Sequence, residues 1–149
     1  MIDATKGFTI VRVLSATPER IWQAWTSADE VSQWWHPPGS STPRETVEMN
    51  AEAGGKYVYE MVNDGTGDSV VTGGFFMVVE PFEKLSLTWG VPGAHPEDTP
   101  LVTVNLEEAD GGTQLTFDLR GVEGSEGDRF LYDGWAGVLD SLQAHVQQG

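Results

Sequence analysis

The sequence predicts an α+β domain in which a curved antiparallel sheet of about six or seven strands wraps around one long C-terminal helix, with two short helices after the first strand. Three observations carry this. The chain has 149 residues, a length that suits one domain with one core, and no linker or repeat divides 1–149. Its middle is a run of strand-like segments joined by tight turns, which makes neighbours antiparallel. Only the last segment, about 129–147, is both long and apolar along one stripe, so it is the element able to cover the sheet's apolar face.

The elements follow in order. GFTIVRVL, residues 7–14, alternates and is rich in β-formers. In the next stretch Thr17 can cap a helix, Pro18 suits its first turn and Glu19 complements its dipole. Ile21, Trp22 and Trp25 then recur at helical spacing. Ser27 or Asp29 can cap a second short helix carrying Val31, Trp34 and Trp35, which must stop near His36 because Pro37, Pro38 and Gly39 follow. A loop runs to Arg44, and 46–50 is a weak strand. Gly54-Gly55 breaks the chain before KYVYEMV, which places Tyr57, Tyr59 and Met61 on one face and Lys56, Val58 and Glu60 on the other. NDGTGD is a hairpin turn. Residues 69–79 form a long strand in which Gly73-Gly74 predicts a bend or bulge. Residues 84–89 put Leu85, Leu87 and Trp89 on one face, and 101–108 and 113–120 form a last hairpin around Ala109 to Gly112. The final helix buries Leu131, Trp135, Val138, Leu139, Leu142 and Val146. Gly134 and Gly137 each cost such a helix about 1 kcal/mol relative to alanine, so something is expected to pack very close to it.

Composition excludes several classes. The chain has no cysteine, so disulfides, thiolate metal sites and a cysteine nucleophile are out, which fits a reducing, cytoplasmic setting. The opening MIDATKGFTIVRV has none of the marks of a secretory leader, and no stretch approaches a membrane span. With 23 acidic against 8 basic residues the net charge is −15. Phosphate repulsion argues against nucleic acid, and an anionic membrane is disfavoured for the same reason. Six tryptophans, three tyrosines and six phenylalanines point instead to an aromatic core or cavity.

Several segments together resemble one family: ATPERIWQAWT from Ala16, then SQWWHP, GGKYVYEM, LSLTWG, GGTQLTF, and a late Gly134-Trp135 leading into a leucine-bearing helix. In this order and spacing, over nearly the whole chain, they are similar to the START-like (SRPBCC) superfamily, whose helix-grip fold is shared by the birch-pollen allergen and polyketide cyclases. Within it the sequence looks like the family of homologues of the activator of heat-shock-protein-90 ATPase. The resemblance implies a cavity between the sheet and the C-terminal helix, closed at one end by the short helices. Fold membership does not transfer function.

The candidate ligand-binding residues are those expected to line that cavity. Of Trp34, Trp35 and His36, either one tryptophan is core, the other covers the loop and His36 sits at a solvated helix end, or one tryptophan and His36 stand at the cavity mouth, where imidazole can bind a carboxylate or act as acid or base. Tyr57, Tyr59 and Met61 are either sheet packing or cavity wall. Of Phe75, Phe76 and Met77 at most two point inward. The resemblance favours Phe76, although a register shift at the preceding glycines would reverse the choice. Leu87 and Trp89 belong to the same inner face, opposed by Leu131, Trp135 and Leu139 from the helix. Glu48, Glu60 and Asp118 lie on strands where alternation can turn one inward, with a raised pKa. His95 and His145 read as surface residues. No metal is expected, since His36 lacks a partner at ligand spacing. No phosphate loop, dinucleotide fingerprint or nucleophile elbow appears, so no cofactor is expected either.

The leading functional expectation is a module that binds a small lipophilic or aromatic molecule in the cavity. A cyclase-like enzyme using the same cavity is the alternative, and an inward, water-accessible carboxylate or histidine would favour it. Regulation of a chaperone ATPase through a surface patch is the least supported reading. A homodimer through a sheet edge or the tryptophan-bearing helices is compatible with the sequence.

Overall fold

The computed structural model describes residues 3–147. It has an eight-stranded antiparallel sheet, two short helices inserted after the first strand, and a long helix at the end. The strands are β1 (Gly7–Leu14), β2 (Ser40–Ser41), β3 (Glu48–Met49), β4 (Lys56–Asn63), β5 (Ser69–Glu80), β6 (Lys84–Thr88), β7 (Leu101–Ala109) and β8 (Gly112–Arg120). The helices are α1 (Pro18–Thr26), α2 (Ala28–Trp34) and α3 (Leu131–Gln147). Strand order is β1-β8-β7-β6-β5-β4-β2, with β3 also paired to β4. The expected six or seven strands become eight because β2 and β3 are two-residue pieces, too short to show alternation in sequence.

Local chemistry sets the elements. The Thr17 side chain accepts the Arg20 N–H at 3.1 Å and Pro18 occupies the first turn of α1, a cap worth about 1 kcal/mol. The α2 helix ends at Trp34, ahead of the prolines. The β7–β8 hairpin turns through Asp110-Gly111, and Gly111 sits at φ 83°, the left-handed conformation that short hairpin turns require. At the other end of the chain α3 starts two residues later than expected, because Arg129 adopts φ 61° and cannot be helical.

One expectation about register is corrected. Gly73-Gly74 pairs regularly with Val58 and Tyr57. The irregularity lies between Phe76 and Val78, against β6. It turns Phe76, paired with Leu87, and Val79, paired with Leu85, to the same inner side, and leaves Met77 exposed. Gly74 serves a different purpose. A Cβ there would lie 2.2 Å from the Thr88 carbonyl oxygen, so the glycine lets β5 and β6 approach, as a side chain would not.

The core fills the space between the concave face and the helices. On β8, Leu115, Phe117 and Leu119 are buried, and on β7 Val102, Val104 and Leu106. Opposite them α3 buries Trp135, Val138, Leu139, Leu142 and Val146, residues at the spacing of one helical face.

Candidate functional site

Three tryptophans close one end of the concave space. Trp25 from α1 meets Trp34 edge-on at 4.7 Å between ring centroids, and Trp34 stacks on Trp35 at 5.5 Å with an interplanar angle of 10°. All three are essentially unexposed. The Trp34 Nε1–H donates to the Ala24 carbonyl at 2.9 Å, which satisfies an acceptor in the last turn of α1 that has no helical donor of its own. Beside this cluster the Glu30 carboxylate accepts from Arg20, and His145 Nε2 lies 2.9 Å from the same oxygen. One buried charge thus ties α1, α2 and α3 together. His145 is no surface residue, contrary to expectation. Sequence reasoning missed Glu30; its place four residues before Trp34 on one helix is the signal that could have found it, and nothing local names its partners.

Trp35 follows α2 and links this end to the rest. Its ring is 4.8 Å from that of Tyr59, 5.7 Å from Tyr57 and 6.0 Å from Trp135. Beyond it Trp89 meets Trp135 edge-on at 5.3 Å between ring centroids, and past that contact the packing opens. A cavity of about 160 Å³ opens between β4, Trp89 just after β6, and the first turns of α3. Trp35, Tyr59, Met61 and Trp89 form its sheet side, and Leu131, Gly134, Trp135 and Val138 its helix side, with Pro37 and Phe130 at the edges. A Cβ on Gly134 would meet nothing within 4 Å, whereas one on Gly137 would lie 2.8 Å from Pro38 Cδ. The close approach predicted for the helical glycines therefore holds for Gly137 only, and Gly134 borders open space.

The wall is almost wholly apolar. Its one hydroxyl, on Tyr59, accepts from Trp89 Nε1 at 3.1 Å, and burial pushes its pKa well above the ordinary tyrosine value, so it stays protonated at any physiological pH. Trp135 carries a buried Nε1–H that meets no acceptor among the described residues, a state that costs about 1–3 kcal/mol. No ionisable acid or imidazole lies among the ten lining residues.

Of the sequence-predicted site residues, Trp35, Tyr59, Met61, Trp89, Leu131 and Trp135 come together around the cavity. Trp34, Tyr57, Phe76, Leu87 and Leu139 are fully buried in the core and stand behind the wall, not in it. Tyr57 spends its hydroxyl on the Thr88 carbonyl at 2.6 Å. His36 lies beside the cavity, its Nδ1 3.1 Å from Thr42 Oγ1. The Thr42 hydroxyl proton already goes to the Trp35 carbonyl, so His36 must donate through Nδ1–H, and burial lowers its pKa. The strand carboxylates face away from the concave side: Glu48 is exposed, Glu60 alternates with buried Tyr59, and Asp118 pairs with Arg120 and Thr9, which hold its pKa below the usual carboxylate range despite partial burial. The inward acid that alternation allowed is not found at any of the three positions. Among the described residues no cluster of three or more metal-ligating side chains occurs, and no helix is long and apolar enough to cross a membrane.

Residues 15–147 match the family described as Activator of Hsp90 ATPase homolog 1-like protein. The crystal structure of protein CV1439 from Chromobacterium violaceum is similar over 93% of this chain and 96% of its own, at 26% identity and a TM-score of 0.79. The AHSA1 protein of Silicibacter pomeroyi is similar at 23% identity, 95% and 98% coverage and a TM-score of 0.79. The AHSA1-like protein of Aeromonas hydrophila follows at 22% identity, 95% and 92% coverage and 0.78. The latter two share the fold at this level of identity. No curated protein matches the chain.

Proposed function

We propose that this chain, which belongs to the Activator of Hsp90 ATPase homolog 1-like protein family, binds a small lipophilic or aromatic molecule in the cavity between its sheet and α3. The observation that carries this reading is the open space in front of Gly134, in a wall otherwise made of aromatic and aliphatic side chains. Pockets of this kind hold ligands by burying apolar area, with one or two polar groups to orient them. A cavity of about 150 Å³ lined by apolar side chains stays dry and accepts a molecule the size of benzene. The cavity here has a similar volume but opens to solvent, so a bound molecule displaces water from its apolar walls. The Tyr59 hydroxyl, which already accepts from Trp89 Nε1, is the one side-chain hydroxyl of the wall, so burial of apolar area dominates the binding.

The test uses toluene as the probe and the tryptophans of the wall as reporters. Titration of the wild-type protein is expected to give a saturable change in tryptophan emission. Gly134→Leu fills the open space from α3 with no backbone in the way, so it is expected to abolish that change while keeping the thermal unfolding midpoint. Absence of saturable binding to the wild type, or unaltered binding by Gly134→Leu, would overturn the reading.

A further inference from the structure

The cavity does not end at its mouth. Met61 and Trp89, which line it, also line a second depression on the surface, completed by Val70, Val71, Thr72, Gly90 and Val91. This outer trough measures about 320 Å³, twice the cavity. Val70 pairs with Met61 across β4 and β5 and so shares its inner face, yet it is 60% exposed, and Val91 is 71% exposed. At the opposite lip Phe130 borders the cavity and is 79% exposed. Large exposed apolar side chains grouped at one mouth mark a binding surface.

Phe130 is placed there by construction. Arg129 before it takes the left-handed conformation, φ 61°, which a long side chain rarely adopts. That turn is held by carboxylates on both sides: Asp128 accepts the Phe130 N–H at 2.8 Å, and Asp133 accepts the N–H groups of Gly127 and Arg129 at 2.9 and 2.8 Å. A phenyl ring held in water by a strained, fully bonded turn at a cavity edge is an arrangement that gains once a ligand covers it.

From the continuity of cavity and trough we infer that the ligand is an elongated, uncharged molecule, with a single ring or similar compact head in the cavity and a hydrocarbon tail lying over Met61 and Trp89 between Val70 and Val91. This rests on the proposed binding function and specifies its substrate class. Neither compartment has a lysine, arginine or histidine in its wall, and the chain as a whole carries −15. A charged group on the part of the ligand held in the cavity would lose water and meet no cation, and the strongly negative chain repels an anionic tail end even where the open trough leaves it in water. Neutral alkyl-substituted rings fit.

The experiment compares toluene, n-butylbenzene and 4-phenylbutyrate on the wild-type chain and on Val70→Asp/Val91→Asp, both positions being exposed enough for the variant to fold. Three added methylenes at about 0.8 kcal/mol each when fully buried, half-buried in the trough, should make n-butylbenzene about tenfold tighter than toluene on the wild type. On the variant that gain should fall below about threefold, with toluene unchanged, since toluene sits in the cavity alone. On the wild type 4-phenylbutyrate, which carries the same chain with a charged end, should bind no tighter than toluene. If toluene binds and n-butylbenzene gains nothing, or the gain survives in the variant, this inference fails while the cavity reading stands. If toluene itself does not bind, the cavity reading fails. Light scattering on both proteins checks the remaining occupant: a wild-type dimer made monomeric by the two aspartates would assign the trough to a second copy of the chain and overturn the inference.

Discussion

On α3, Gly137 lies against Pro38 with no room for a Cβ, and one turn earlier Gly134 faces no atom within 4 Å. The same residue type, one turn apart on one helix, serves a close contact in one place and an open space in the other. Toward Gly137 the protein is sealed: prolines press on the helix, three tryptophans interlock, and Glu30 joins all three helices. Toward Gly134 the packing is left incomplete. Trp89 and Met61 are only half-buried, and Phe130 stands in solvent. The sealed end holds the fold rigid with close-packed aromatics, and that rigidity lets the other end keep a hole without collapsing into it.

The largest expected effect is at the sealed end. Trp34 is unexposed, stacks on Trp35 and bonds the end of α1. Trp34→Ala removes the ring, leaves a cavity and strips the Ala24 carbonyl of its donor, so the loss should reach about 3–5 kcal/mol. Urea denaturation followed by circular dichroism measures it. Trp89→Ala, at the open end, should lose clearly less, because that ring already borders empty space and water. Equal losses would mean that the two ends are packed alike and that the comparison is mistaken.

Gly137→Ala is the next test. The new methyl would sit 2.8 Å from Pro38 Cδ, and a proline ring cannot swing aside. Overpacking of this kind costs about 1–3 kcal/mol, against which the better helix propensity of alanine returns about 1 kcal/mol at most. The net change should be a destabilisation on the order of 1 kcal/mol, read from the same denaturation curves. A gain in stability would show that the Pro37-Pro38 segment yields freely and does not seal the helix.

The two ends also differ in how far the sequence reveals them. The buried stripe of α3 follows from its period, and Trp135, Val138, Leu139, Leu142 and Val146 are all buried. Alternation puts Tyr57, Tyr59 and Met61 on one face of β4, but it cannot distinguish depth: Tyr57 and Tyr59 point the same way, and only Tyr59 reaches the cavity. Gly73-Gly74 suggests a bulge because paired glycines often mark one, whereas here Gly74 makes room for the Thr88 carbonyl, and the bulge falls at residues with no sequence mark. Phe130 escapes notice for a similar reason. It lies just before the helix, off its stripe, and its position depends on the left-handed turn at Arg129 and the carboxylates of Asp128 and Asp133. Long-range partners are the least legible. The meeting of Glu30 with His145 joins helices from opposite ends of the chain, and no local pattern encodes it.

The smallest effect has the opposite sign and bears most directly on the open end. Gly134→Ala adds a methyl where nothing stands within 4 Å, so no overpacking term opposes it. What remains is the helix preference of alanine over glycine, together with the reduced freedom of the unfolded chain, worth about 0.4–1 kcal/mol. Position 134 lies in the first turns of α3, where a helix frays, which places the gain toward the lower figure. The variant should therefore unfold at slightly higher urea than the wild type, while Gly137→Ala unfolds at lower. The methyl also takes a small part of the cavity, so toluene should bind a few-fold more weakly to Gly134→Ala than to the wild type and not at all to Gly134→Leu. A graded loss of binding alongside rising stability separates an open cavity from a flexible one. In a flexible one the walls would retreat from the new methyl, and binding would not follow its size.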